Sequence, residues 1–136
     1  MPEKTTLERA RRAKRSGKSP STQAGEFVRE ELHHIREGEH GAKSAKQAIA
    51  IGLSKARRAG VKLKARKGHP EDRAGKATGR PDPERSAAAK KALKKKPRVA
   101  ASHLALSRHA HAAARSRTKA DRSRSARKAA ETRAKQ

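Results

Sequence analysis

Cysteine is absent, and aromatic side chains nearly so: the 136 residues include one Phe, Phe27, and no Trp or Tyr. The first absence excludes disulfides, thiolate metal sites and cysteine nucleophiles. The second leaves few side chains able to insert at a lipid surface, which argues against a membrane partner in spite of the favourable charge. Long apolar runs are missing as well. No stretch approaches the roughly 20 residues needed to span a bilayer, and the opening MPEKTTLERARRAKRSGKS has no apolar segment of the secretory type. The expectation is a cytoplasmic protein associated with the nucleoid. Negative charge is scarce too, with 13 Asp and Glu against 38 Lys and Arg, a net charge of +25 and a pI near 11.7.

That excess calls for a polyanion. Each Lys or Arg brought to a phosphate releases condensed counterions, so a long basic chain gains affinity for a duplex without reading a base. The apolar fraction is 32%, and much of it is alanine, which buries little area per residue. Burial at about 25 cal/mol per Å² has to offset about 1–2 kcal/mol of backbone entropy per ordered residue. The composition therefore predicts one small ordered unit in an otherwise mobile or conditionally helical chain.

Residues 1–20 are basic, carry Gly17 and Pro20, and read as a flexible arm. Residues 21–38 have the pattern of an amphipathic helix capped by Ser21 or Thr22 and stopped by Gly38. Its apolar face is Val28, Leu32 and Ile35, with Phe27 beside them. After the turn EGEHGAK a second helix is predicted from the cap Ser44 to Gly60, with Ala45, Ala48, Ile49, Gly52, Leu53 and Ala56 on one face. A short connection should fold the two back as a hairpin over 21–60, with Phe27, Val28, Leu32 and Ile35 against Ile49, Gly52 and Leu53.

Residues 61–83 are rich in Gly, Pro and charge and read as a linker. Asp82 and Pro83 look like the cap and first position of another helix, which Pro97 ends. The remainder of 84–136 is a basic, Ala-rich tail of low complexity. From Ser86 onward it holds 16 Lys and Arg against Asp121 and Glu131. The expected fold class is all-α: a short helical hairpin with a largely disordered or conditionally helical arm and tail.

The tail nominates Lys90, Lys91, Lys94, Lys95, Lys96, Arg98, Arg115, Arg117, Arg122, Arg124, Arg127 and Lys128 for phosphate contacts. On the second hairpin helix Lys46, Gln47, Lys55, Arg57 and Arg58 could face nucleic acid, Gln47 being the one amide placed to meet a base edge. The competing reading is a hairpin that only packs on itself or forms a homodimer, because a helix-turn-helix normally has a third supporting helix. His33, His34 and His40 lie among Glu30, Glu31, Glu37 and Glu39, but four convergent ligands are not evident from the spacing, so exposed histidines and no metal are expected. No G-x-S-x-G elbow or phosphate-cradling glycine loop is present, and no cofactor is implied. The chain reads as non-enzymatic.

The block STQAGEFVREELHHIREGEHGAKSAKQAIAIGLSKARRAGVKL at 21–63, with SHLALSRHAHAAARSR and SARKAAETR in the tail, resembles small basic bacterial proteins labelled plasmid stabilisation protein. The resemblance implies a bacterial origin and a role near DNA. The expectation is sequence-independent DNA binding through phosphate contacts. Its rivals are an RNA- or ribosome-associated role, and an adaptor whose hairpin docks on a partition or replication protein.

Overall fold

The computed structural model describes residues 2–64 and 82–135. Among them the protein is all-α, as its sequence predicts. The helices are α1 (Lys4–Arg15), α2 (Pro20–Glu37), α3 (Ala45–Arg58), α4 (Pro83–Lys94), α5 (His103–Arg115) and α6 (Lys119–Ala134), with a 3-10 turn at Arg98–Ala101 before α5. No strand occurs among these residues, and no described helix is long and apolar enough to cross a membrane.

The helix ends follow capping chemistry. Gly38 stops α2 in the left-handed conformation, φ 86°, and its N–H satisfies carbonyls of the last turn. Ser44 caps α3 by accepting the Gln47 N–H at 3.2 Å, and Gln47 Oε1 reaches back to the Lys43 N–H at 2.7 Å. Asp82 and Pro83 open α4 as its N-cap and first residue. At the start of α2 the sequence reading is corrected. The cap is Ser19 and Pro20 is the first helical residue, because proline's fixed φ and missing N–H suit that position.

Helices α2 and α3 pack antiparallel at close range. Gly52 permits this: a Cβ there would lie 2.6 Å from Val28 Cα. The buried face of α3 is Ala45, Ala48, Gly52 and Ala56, small residues spaced so that one backbone can approach another. Two apolar clusters result. One surrounds Phe27 with Ala10, Ala24 and Ala56, flanked by Leu7, Leu53, Val61 and Leu63. The other surrounds Ile35 with Ala42, Ala48, Ala100 and Ala101, flanked by Leu32. Ile49 is only partly buried and belongs to neither cluster.

The expected mobile arm is instead α1, which lies on α2 and buries Thr6 and Ala10 one turn apart. Small side chains leave a faint apolar signal, yet they let the helices touch. The linker and tail boundaries also shift. Val61 and Leu63 pack on the Phe27 cluster, while residues 65–81 of the expected linker lie outside the described residues. Segment 93–101 of the tail packs on the hairpin and puts Ala100 and Ala101 into the core. The Gly41 N–H donates to Leu93 O at 2.9 Å, the Ala42 N–H to Pro97 O at 3.2 Å, and Arg36 Nε to Ala101 O at 2.9 Å. Only glycine fits at 41, since a Cβ would run into the Lys96 carbonyl.

Candidate functional site

The sequence-nominated cations divide into two groups. Most are exposed: Lys46, Arg58, Lys90, Lys91, Lys94, Lys95, Arg115, Arg117, Arg122, Arg124, Arg127 and Lys128. Arg57 and Lys96 are half-buried. Arg98 is exposed, and its guanidinium covers Gly38 at the carboxyl end of α2, where a cation opposes the partial negative charge of the helix.

Lys55 is corrected, and Gln47 is partly engaged within the fold. Lys55 turns inward, its Nζ 2.7 Å from Glu31 Oε2 and 3.5 Å from Glu30 Oε1. It is the cation shared by two buried carboxylates and is turned away from the surface where phosphate would lie. Gln47 spends its amide oxygen on the Lys43 N–H, closing the first turn of α3, which leaves its amide N–H groups as the part that could meet a base edge.

A shallow groove of about 340 Å³ runs between the amino ends of α3 and α5, lined by Lys43, Ser44, Lys46, Ser102, Arg108 and His109. Both helix starts direct backbone N–H groups and positive dipole ends to one place, where three cationic side chains also gather. Lys43 and Arg108 escaped the sequence reading, because nothing in linear order says that residues 43–46 and 102–109 meet. Val99 and Leu104, 68% and 60% exposed, border the same groove.

The acidic residues and histidines of α2 are brought together with the amino terminus of the chain. Glu30 accepts the Glu3 N–H at 3.1 Å. His34 Nε2 stands 3.2 Å from Glu3 Oε1, and His34 Nδ1 stands 3.7 Å from Glu39 Oε2. His40 Nε2 is 3.1 Å from Glu31 Oε1. The hydrogen bond with His34 holds the Glu3 carboxyl below the usual glutamate range. The histidines expected to be exposed are thus split: His33 faces solvent beside Glu37, His34 is buried, and His40 is largely covered. Burial without a charge partner would cost several kcal/mol per ion, and Lys55 Nζ beside Glu30 and Glu31 supplies one compensating positive charge.

Residues 11–67 match the profile of a family of unknown function (DUF6496). The matched block contains the last turn of α1, all of α2 and α3, and Glu30, Glu31, His34, His40 and Lys55, and it stops short of segment 93–101. No curated protein and no solved structure matches the chain.

Proposed function

We propose that the protein binds nucleic acid, duplex DNA foremost, without catalysing a reaction and with little regard to sequence. A bacterial nucleoid or plasmid is the setting this reading favours, in keeping with the resemblance to plasmid stabilisation proteins. The observation that carries it is α6. This helix displays Lys119, Arg122, Arg124, Arg127, Lys128 and Arg133 and buries no residue. A helix that is polar on every side contributes nothing to a core. Phosphate supplies what it lacks, by removing repulsion among its cations and taking up their charge.

The rest of the molecule supports the same reading. Glu30 and Glu31 are turned inward, which takes two negative charges off the surface. The groove between α3 and α5 adds backbone N–H groups and Lys43, Lys46 and Arg108 as a second place for phosphate.

The test is a salt series on a mixed-sequence duplex, comparing the protein with a full-length variant in which the six α6 cations are glutamine. Counterion release predicts a log-log slope shallower by about 5 in the variant if each cation meets one phosphate. Equal slopes would remove α6 from the interface, and absence of binding at low salt would overturn the whole reading. Competition with structured RNA at equal phosphate concentration separates the RNA alternative: preferential displacement by RNA reassigns the partner.

A further inference from the structure

We propose that Glu31, His34 and His40 form a binding site for a divalent transition-metal ion, with Zn²⁺ as the type. One ligand atom from each of the three lies within 4.8 Å of the others. Two of the ligands stand on consecutive turns of one face of α2, at i and i+3. The third is delivered by the loop that follows Gly38.

The contacts of His40 make the case for a cation. Its Nδ1 lies 3.3 Å from the Gly41 carbonyl oxygen, and a carbonyl can only accept. In the neutral ring that donates its Nδ1 proton there, Nε2 carries the lone pair, and it faces Glu31 Oε1 at 3.1 Å. Two acceptors at that separation repel unless a proton or a metal lies between them. The spacing is close to the roughly 3.3 Å that separates neighbouring ligands of tetrahedral zinc with bonds of about 2.0–2.1 Å.

Glu31 supplies the second, independent observation. It is fully buried, and neither of its oxygens has an aligned hydrogen-bond donor, although Lys55 Nζ and His40 Nε2 stand close. Lys55 sits against Oε2, so Oε1 is the oxygen directed at the imidazoles. His34 is prepared in the same sense. Glu3 and Glu39 flank its two ring nitrogens at 3.2 and 3.7 Å. Whichever nitrogen turns to the metal, the other keeps a carboxylate to orient the ring and raise its basicity.

The donor set selects the ion. Two imidazoles and one carboxylate suit Zn²⁺ and its neighbours, whereas Mg²⁺ and Ca²⁺ prefer oxygen alone. Solvent at the His40 rim completes the coordination. A metal here ties the middle of α2 to the α2–α3 loop, so binding and hairpin stability are linked. The site is independent of the nucleic-acid reading and stands or falls without it.

The experiment uses the full chain stripped with chelator, titrated with ZnCl₂ or MgCl₂ at pH 7.5 by calorimetry and by thermal unfolding. The expected result is one Zn²⁺ per chain with a raised Tm, and no response to Mg²⁺. H40A and H34Q should each weaken Zn²⁺ binding by more than about 100-fold, and E3Q by about 10–100-fold or less. H33A, which removes an exposed histidine one residue away, should bind as the parent does. The circular dichroism of metal-free H40A serves to show that α2 and α3 remain folded. No zinc uptake, or uptake that survives in both H40A and H34Q, would overturn the site and leave Glu31 and His40 as an imidazolium–carboxylate ion pair.

Discussion

Helices α3 and α6 both draw heavily on Ala, Lys, Arg and Ser, yet one is sealed into the core and the other buries nothing. Ile49, Ile51 and Leu53 of α3 have no counterpart in α6, and the order of the small residues adds to that difference. In α3 the small residues Ala45, Ala48, Gly52 and Ala56 fall on one face and all are buried. In α6 Ala120, Ala126, Ala129, Ala130 and Ala134 share their side of the helix with Lys119, Arg122, Arg127 and Arg133 and have no large apolar neighbour on it, and none is buried. Alanine joins a core only when its spacing lets a partner backbone approach. Otherwise it serves as a helix-favouring spacer between charges.

The contrast is open to attack at three points. The largest effect should come from Phe27→Ala, which removes the one large fully buried side chain of the α1–α2–α3 contact and leaves a cavity beside Ala10, Ala24 and Ala56, which are too short to fill it. A loss of about 3–5 kcal/mol in denaturant unfolding is expected, and a loss below about 1 kcal/mol would mean that the Phe27 cluster is not the core. Gly52→Ala comes next, at about 1–3 kcal/mol, since the added methyl meets the Val28 backbone instead of a yielding side-chain end. A variant as stable as the parent would show that α2 and α3 do not pack this closely. The smallest effect should follow Ala126→Pro. It interrupts α6 and lowers the helical circular dichroism, while the unfolding midpoint stays within about 0.5 kcal/mol of the parent in the absence of nucleic acid. A clear fall in midpoint would reveal packing for α6 and weaken its assignment to phosphate.

Much of this fold is legible in the sequence where local chemistry decides it. Gly38, Ser44, Gly60, Asp82 and Pro83 mark helix ends through capping and turn preferences, and the all-α class follows from periodicity. What stays hidden depends on contacts between distant segments. Thr6 and Ala10 look like parts of a solvated arm until α2 covers them. Ala100 and Ala101 look like low-complexity tail until Ile35 and Ala48 are found beside them. The candidate site divides along the same line. Exposed Lys and Arg in α6 can be named from charge alone, but the inward turn of Lys55 is invisible without knowing that Glu30 and Glu31 lie across the helix pair. The i, i+3 spacing of Glu31 and His34 was available. The approach of His40 was not, because it depends on the left-handed turn at Gly38 and on the anchoring of Gly41 to Leu93.

That anchoring bears on how the chain is made. A ribosome delivers α1, α2 and α3 well before Leu93, Pro97, Ala100 and Ala101, so the Ile35 cluster lacks its last wall during this interval and the loop at Gly41 and Ala42 lacks its backbone acceptors. The hairpin is born unfinished. It closes when the returning segment packs Ala100 and Ala101 against Ile35 and Ala48, and until then the nascent protein already exposes the basic stretches of α1 and α3.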